Sequence, residues 1–193
     1  MKILVISDTH HDIEKAVAVY KKLENIDLVI HCGDYVEDAE DFRARTGAKV
    51  AFVSGNCDRS FDEKDYMLVE TEAGDLFVTH GHMHGVSHSQ EKIFYCAAEA
   101  GCVAAIYGHT HIPVNTEWEG IHLINPGSLS RPRDNSSGSF AIIETRDDYF
   151  SSKIHYYDDF MSGKDGTGPG GPTGKSKVKG GYLKGLLNYS DRF

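Results

Sequence analysis

Five apolar stretches of the sequence are each followed by side chains that can bind a metal ion. Asp8 and His10 follow KILVIS, Asp34 follows LVIHC, Asn56 follows VAFVS, His80 follows LFVT, and His109 and His111 follow VAAIY. Each stretch is predicted to be a β-strand, and ligands of open α/β sheets bind at the carboxyl ends of the strands. We therefore expect these seven side chains to meet at one edge of the fold. Their carboxylate, amide and imidazole groups, with no thiolate among them, suit Mn²⁺, Fe, Ni²⁺ or Zn²⁺ better than a structural zinc site.

The number of candidate ligands indicates two ions. Seven ligands are too many for one ion, whereas two ions are natural if one carboxylate bridges them. Two-metal sites hold their ions about 3.5–4 Å apart and stabilise both the attacking and the leaving oxygen of an in-line displacement. Taken singly, each motif has a plainer explanation: DTH as surface or capping residues, GD as a turn, GHTH as a hydrogen-bonded histidine pair. Their conjunction at successive strand ends favours the metal site.

The elements that must position these residues alternate between strands and helices. Apolar runs predict strands, amphipathic runs predict helices, and AGD between two β-rich runs predicts a hairpin. The predicted strands are 2–6, 28–32, 49–54 and 103–108, the helices are 12–23, 36–45 and 89–101, and the hairpin is 66–80. From Ile112 onward the pattern predicts antiparallel strands. This order indicates an α/β fold.

Composition narrows the function classes. The chain has 193 residues and a formal net charge of −9, which argues against stable nucleic-acid binding because that affinity needs clustered Lys and Arg. It does not exclude a phosphorylated substrate, since bound metal reverses the local charge. The sequence has no apolar run of the roughly 18 residues that span a membrane, and its N-terminus reads as a first strand. The four cysteines show no pairing pattern, so we expect reduced thiols in a cytoplasmic protein.

The C-terminal region differs in composition from the rest. We predict a domain over residues 1–160, a Gly-rich flexible linker over 161–181 and a tail over 182–193. One hypothesis is that the linker presents YLKGLL to a neighbouring subunit of a homo-oligomer. The alternative is a terminus without fixed structure.

The motifs, in their order, resemble the calcineurin-like metallophosphoesterase superfamily. The resemblance rests on DTH (8–10), GD (33–34), GNCD (55–58), His80 and GHTH (108–111), and it covers about residues 1–158. With NPGS (125–128) and SRPR (130–133), the sequence is similar more narrowly to the YfcE-type phosphodiesterases.

This resemblance implies a fold, a ligand set and a reaction. The fold is a four-layer αββα sandwich, in which helices flank two mixed β-sheets. Asp34 would bridge two divalent ions, with Mn²⁺ expected and Ni²⁺, Fe or Zn²⁺ as alternatives. Around one ion would lie Asp8, His10, Asp34 and His111, and around the other Asp34, Asn56, His80 and His109. The expected reaction is hydrolysis of a small phosphodiester by in-line attack of a hydroxide that bridges the ions.

The third residue of GNCD bears on the proton donor. Many relatives carry a histidine here that protonates the leaving oxygen, whereas Cys57 stands in this sequence, as in the YfcE-type enzymes. Cys57 is therefore either a small packed residue or a participant in the chemistry, and we expect aryl phosphodiesters to react faster than alkyl ones. Asp58 is expected to orient a neighbouring group. His82, His84 and His88 follow His80 in one loop and are interpreted as solvated loop residues, with His82 the strongest candidate among them for a contact with substrate. His11 is a candidate for the entrance of the site.

Two other functions remain open from the sequence. One is a phosphomonoesterase, which the absence of the histidine donor disfavours. The other is a non-catalytic scaffold, as in the small subunit of retromer, which has this fold and an eroded site. The intact set of seven ligand positions argues against the scaffold.

Overall fold

The computed structural model describes residues 1–58 and 65–164 in full, and the backbone of residues 174–177. Its strands are β1 Lys2–Ile6, β2 Leu28–His31, β3 Val50–Phe52, β4 Tyr66–Val69, β5 Leu76–Thr79, β6 Ala104–Ile106, β7 Val114–Trp118, β8 Ile121–Asn125, β9 Ser139–Arg146, β10 Tyr149–Tyr156 and β11 Gly174–Lys177. Its helices are α1 Glu14–Lys22, α2 Val36–Thr46, α3 Glu91–Glu99 and α4 Tyr157–Met161. His82–His84 form a 3₁₀ turn.

The strands form two mixed sheets. The first has the order β11-β10-β9-β1-β2-β3, and the second has the order β4-β5-β6-β8-β7. In the first sheet β1, β2 and β3 are parallel, while β9, β10 and β11 are antiparallel to their neighbours. In the second sheet β5, β6 and β8 are parallel, with antiparallel strands at both edges. Each sheet therefore contains a group of three parallel strands, and the carboxyl ends of each group lie at one end of that sheet.

Three apolar cores define four layers. The central core lies between the two sheets, and side chains of β1 such as Ile3 and Val5 alternate into it. Leu4 and Ile6 of the same strand point the other way and pack against α1, α2 and α4. A third core packs α3 against the outer face of the second sheet. Because β1 is buried on both faces, its sequence is a continuous apolar run. The predicted αββα sandwich is confirmed.

A buried polar pair joins the two sheets. Asn115 on β7 donates from Nδ2 to the carbonyl oxygen of Ser152 on β10 at 3.0 Å, and the Ser152 hydroxyl donates back to Asn115 Oδ1 at 2.8 Å. Both residues are almost fully buried. Because buried polar groups need partners, this reciprocal pair favours one alignment of the two sheets.

Two regions differ from the sequence expectation. β8 is antiparallel to β7 but parallel to β6, because the β7–β8 hairpin reverses the chain a second time and inserts β8 beside β6. The helix α4 was not predicted.

The predicted division into domain, linker and tail is not tested by the described residues. Within the predicted linker, β11 pairs with β10, whereas the tail 182–193 lies outside the described residues, so this division stays a prediction. Among the described residues no helix is long and apolar enough to cross a membrane.

Candidate metal centre

The parallel strands of each sheet end at the same level. Ile6 at the end of β1 is paired in register with His31 at the end of β2, and His31 is paired with Phe52 at the end of β3. In the second sheet Val78 of β5 is in register with Ile106 of β6. The loops that follow these strands therefore lie side by side at one end of the two sheets. All seven predicted ligands lie in those loops.

Four of the predicted ligands form one tight group. One ligand atom from each of Asp8, His10, Asp34 and His111 lies within 4.8 Å of the others. The two Nε2 atoms of His10 and His111 are 3.2 Å apart, and His111 Nε2 is 3.3 Å from Asp8 Oδ1. His10 Nε2 is 3.8 Å from Asp34 Oδ2. Ligand atoms about 2.0–2.2 Å from a common ion are about 3–3.6 Å apart, so the 3.2 and 3.3 Å spacings suit one shared cation, and the 3.8 Å spacing lies just outside that range.

The other predicted ligands form a second group beside the first. His80 Nε2 is 3.1 Å from Asn56 Oδ1 and 3.3 Å from Asp34 Oδ1. The ring of His109 packs edge-on against His80 at a centroid distance of 5.2 Å. The structure thus brings together all seven side chains, and Asp34 belongs to both groups.

The hydrogen bonds of two histidines show why a cation fits. His111 Nδ1 lies 2.7 Å from the carbonyl oxygen of Arg131, and His80 Nδ1 lies 2.7 Å from that of Cys32. Since a carbonyl can only accept, each Nδ1 carries a hydrogen and each neutral ring turns a lone pair on Nε2 toward the site. These lone pairs face the oxygens of Asp8, Asp34 and Asn56, so acceptors face acceptors. A cation in each ligand group would bind the imidazole lone pairs and the oxygens that face them.

The electrostatics of the site lead to the same conclusion. Burial raises the pKa of Asp8 to about 7, an effect that the hydrogen bond from the Ser7 hydroxyl only partly opposes. Asp8 Oδ1 is buried and accepts no hydrogen bond from the described residues. Burial also lowers the pKa of His80 to about 4, which keeps its imidazole neutral. A buried carboxylate oxygen without a donor is stabilised by a nearby positive charge, and a neutral imidazole is the form that binds metal.

The backbone of these loops is strained. Eleven non-glycine residues among those described have a positive φ, and seven of them lie in or beside the two groups. These seven are Asp8, His10, His11, Asp34, Tyr35, His109 and His111. Such conformations cost on the order of 1–3 kcal/mol each and persist where the surrounding structure enforces them, commonly at functional sites.

Two glycines allow the loops to approach one another. At Gly33 φ is +93°, and a Cβ atom there would lie 2.9 Å from Nδ1 of His80. A Cβ on Gly55 would collide with Oδ1 and the backbone of Asp34. The two glycines allow this close approach of the ligand loops, because any side chain there would displace Asp34 or His80.

The remaining predicted residues lie around the second group. Asp58 accepts hydrogen bonds from the backbone N–H of Val36 at 2.8 Å and of Gly55 at 2.6 Å, which ties the start of α2 to the GNCD turn. The backbone N–H of Cys57 donates to Asp34 Oδ1 at 3.0 Å. Burial and the Asp34 carboxylate raise the pKa of the Cys57 thiol to about 11.

His82 lies beside the second group on the 3₁₀ turn. Its ring is 5.3 Å from that of His80 and 6.3 Å from that of His109, centroid to centroid. The side chain is half-buried, and Nδ1 has no hydrogen-bond partner among the described residues. His82 therefore lies next to the candidate ligands with a nitrogen that is not engaged elsewhere.

One set of supporting residues was not assigned a role from the sequence. The hydroxyls of Ser128 and Ser130 both donate to the carbonyl oxygen of Asp8, at 2.8 and 3.1 Å. Asn125 Nδ2 donates to the carbonyl oxygen of Gly108 at 2.7 Å. Asn125 and Ser128 of NPGS and Ser130 of SRPR thus hold the backbone on either side of the first group. These small polar residues were visible in the sequence, but the two backbone carbonyls that they hold are 17 or more positions away.

A second supporting set joins three elements. Gly33 N–H donates to His31 Nδ1 at 3.2 Å, so His31 carries its hydrogen on Nε2 and donates to Thr9 Oγ1 at 2.9 Å. The Thr9 hydroxyl then donates to Asp38 Oδ2 at 2.6 Å. All three side chains are buried. His31 is packed, as its place inside a strand predicts, but it also holds the residue between Asp8 and His10.

Comparison with known proteins identifies the family. The model of the calcineurin-like phosphoesterase superfamily domain matches residues 1–148. The chain is 35% identical over 161 residues to the probable metallophosphoesterase YsnB of Bacillus subtilis, which covers 82% of this chain and 91% of YsnB. It is 31% identical over 108 residues to the phosphodiesterase YfcE of Escherichia coli, which covers 50% of this chain and 53% of YfcE.

Solved structures show the same architecture. A predicted phosphoesterase from Streptococcus pneumoniae superposes with a TM-score of 0.73 at 26% identity, covering 91% of this chain and 97% of that one. Vps29 from Entamoeba histolytica complexed with Zn²⁺ superposes with a TM-score of 0.70 at 18% identity, covering 92% and 99%. The latter likeness shows the fold alone. Together with the matched family model, these findings show that the chain belongs to the calcineurin-like phosphoesterase superfamily.

Proposed function

We propose that this chain hydrolyses small phosphodiesters with the help of two divalent metal ions. The observation that carries the proposal is the position of Asp34. Its Oδ2 lies 3.8 Å from His10 Nε2 in the first group, and its Oδ1 lies 3.3 Å from His80 Nε2 in the second. A carboxylate that turns one oxygen to each group is the shared ligand that a binuclear site requires.

The residues of the chain hold the ligands in the orientation that metal binding needs. Bound divalent ions would lower the pKa of the attacking water and neutralise charge on the phosphoryl oxygens. Arg131 O and Cys32 O fix the tautomers of His111 and His80, and Asp58 fixes the turn that carries Asn56. Such partners commonly affect metal affinity 10- to 100-fold. The expected metal is Mn²⁺, with Ni²⁺, Fe and Zn²⁺ to be compared.

His82 is the side chain that we assign to substrate. It lies beside His80 and His109 without belonging to the predicted ligand set, and its Nδ1 lacks a partner among the described residues. A histidine at this position can donate a hydrogen bond to a phosphoryl oxygen. Hydrogen bonds to charged groups are the stronger ones, so this contact favours binding of the reacting phosphate.

The preference for diesters over monoesters rests on Cys57. A histidine at this position can protonate the leaving oxygen, and general acid catalysis of that kind contributes roughly 10²–10⁴ in rate. Cys57 contacts Asn56 and Asp34, and a thiol is a poorer proton donor than an imidazolium. We therefore assign the site to substrates whose leaving group departs without protonation, aryl phosphodiesters above all.

A non-catalytic scaffold of the same fold is the competing function. The Zn²⁺ complex of Vps29 has this fold and holds metal, so metal binding by itself does not establish an enzyme. The seven-residue ligand set and the position of His82 beside His80 and His109 support catalysis. Only an activity measurement separates the two functions.

The test is the replacement of Asp34 with Asn. We expect the purified D34N protein to lose both metal content, measured by elemental analysis, and hydrolysis of bis(p-nitrophenyl) phosphate under Mn²⁺. D41N is a matched control, because Asp41 is an exposed acid on α2 that pairs with Arg45, and it should retain both properties. A D34N protein or metal-free wild type that still hydrolyses the diester would refute the mechanism. A wild type that binds metal but hydrolyses neither aryl diesters nor aryl monoesters would favour the scaffold.

A further inference from the structure

Two aromatic side chains meet at the mouth of the first ligand group. The rings of His11 and Tyr35 lie 3.8 Å apart, centroid to centroid, at an interplanar angle of 50°. Tyr35 also contacts the ring of His10 edge-on at 5.2 Å. His11 and Tyr35, which we call the rim pair, directly follow the candidate ligands His10 and Asp34 in the sequence. They therefore border the first ligand group, next to any phosphate that binds there.

The rim pair is partly open to solvent. The side chain of His11 is 61% exposed and that of Tyr35 is half-buried. Burial of apolar surface therefore does not account for the position of the His11 ring. Two partly exposed rings beside a candidate phosphate site offer a surface on which another aromatic ring can stack.

The fold holds the rim pair in place at an energetic cost. Both residues have left-handed backbones, with φ of 64° at His11 and 71° at Tyr35. Asp38 accepts a hydrogen bond from the backbone N–H of His11 at 2.8 Å, and its Oδ1 lies 3.6 Å from the His11 ring nitrogen Nδ1. Asp38 is itself buried and held by Thr9. The rings are therefore preorganised, which lowers the entropy cost of binding a ligand.

A positive charge accompanies the rim pair. Arg131 is exposed, and its carbonyl oxygen accepts from His111, so its backbone is anchored at the same mouth. A guanidinium can pair with a phosphoryl oxygen or stack on an aromatic face.

We propose that His11, Tyr35 and Arg131 form a subsite that stacks on the aromatic substituent of the phosphodiester. This inference rests on the proposed function, and it names the substrate class as esters of an aromatic group. Both a simple aryl ester and a nucleoside ester offer the required ring. The rim pair would contribute through stacking, and Arg131 through its charge on the adjoining phosphate.

The test measures binding and not turnover, so that it is independent of catalysis. Isothermal titration of the Mn²⁺-loaded protein compares phenylphosphonate with methylphosphonate, which differ only in the ring. A second pair, uridine 5′-phosphate and ribose 5-phosphate, asks whether a nucleobase is preferred to a simple aryl group. We expect the aromatic member of a pair to bind about tenfold more tightly, a typical effect of one stacked ring.

Three variants test whether the ring of Tyr35 produces the preference for aromatic ligands. Tyr35→Ala should reduce the aromatic preference to less than about threefold, whereas Tyr35→Phe keeps the ring and should preserve it. Tyr95→Ala is the matched control, since Tyr95 is an exposed tyrosine on α3, and it should leave the preference unchanged. Circular dichroism and Mn²⁺ affinity are measured for each variant. If Tyr35→Ala does not fold or bind Mn²⁺, His11→Ala provides the second measurement, with the same expected loss.

Distinct results overturn the inference and the proposed function. Equal affinity for both members of each pair, binding of neither, or an aromatic preference that survives both alanine variants would overturn the subsite. Failure of the wild type to hydrolyse aryl phosphodiesters would overturn the proposed function. In that case the phosphonate titration still decides whether the rim pair binds an aromatic ring.

Discussion

Replacement of Thr9 with Val tests whether the buried His31–Thr9–Asp38 chain positions the metal centre. Valine has nearly the shape of threonine but lacks the hydroxyl. The substitution removes the hydrogen bond from His31 Nε2 at 2.9 Å and the one to Asp38 Oδ2 at 2.6 Å. Asp38 keeps the donor from the His11 backbone, whereas the His31 N–H is left without an acceptor in a fully buried position.

The size of the effect follows from these losses. A buried donor without a partner costs about 1–3 kcal/mol, and a hydrogen bond to a charged group contributes about 1.5–3 kcal/mol. We expect Thr9→Val to lower the free energy of unfolding by about 3–5 kcal/mol, less than the stability of a typical domain. For a protein of this size that corresponds to a fall in Tm of roughly 6–20 °C. Because Thr9 separates Asp8 from His10, Mn²⁺ affinity should fall about 10- to 100-fold.

The assay combines urea unfolding of the metal-free protein with Mn²⁺ titration calorimetry at a temperature where both proteins are folded. Thr9→Ser is the matched control, because it keeps the hydroxyl and removes only a methyl group. It should cost roughly 0.5–1.5 kcal/mol of stability and retain Mn²⁺ affinity within about threefold. If Thr9→Val binds Mn²⁺ as tightly as the wild type, or if both variants lose affinity equally, the chain does not position the ligands.

Three further predictions concern the proton donor, the substrate contact and the pH dependence of stability. Cys57→His should raise kcat for alkyl phosphodiesters by up to about 10²-fold and should raise kcat for aryl phosphodiesters much less, because a proton donor matters most for poor leaving groups. A wild-type rate that does not depend on the pKa of the leaving group would contradict this prediction. His82→Ala should lower kcat/KM for an aryl phosphodiester about 10- to 100-fold, whereas His88→Ala, on an exposed part of the same loop, should change it less than twofold. Burial lowers the pKa of His31 from 6.5 to about 4. Between these two values the unfolded chain binds a proton at this residue that the folded protein does not bind. The contribution of His31 to the free energy of unfolding is therefore present above pH 6.5 and is lost as the pH falls toward 4. Urea unfolding between pH 7 and 4.5 should show a steeper loss for the wild type than for His31→Gln, and equal slopes would exclude His31 as the cause.

Much of the fold could be predicted because local pattern and tertiary structure agree. Strands buried on both faces, such as β1 and β6, are continuous apolar runs, and the helices that cover them are amphipathic. β8 was harder, since its partner β6 is set by the path of the β7–β8 hairpin and not by its own residues. The helix α4 is only five residues long, below the length at which periodicity is informative.

The candidate ligands could be predicted because the sequence places each one after a strand. Once strands are parallel and in register, every loop that follows them lies at one edge, so the chemical types at strand ends determine the chemistry of that edge. Asp8, Asp34 and His80 were therefore identifiable without coordinates. Their motifs, in order, also determined the family to which the chain belongs.

Only the tertiary structure decided how the site is supported. The hydrogen bonds that fix His111 and His80 come from the carbonyls of Arg131 and Cys32, 20 and 48 positions away. The rim pair of His11 and Tyr35 arises because two strained loops meet. The residue types at the end of a strand directly follow the strand in the sequence, so they can be predicted from the sequence alone. Hydrogen bonds and ring contacts between distant loops depend on where the sheets bring those loops, which no local pattern encodes.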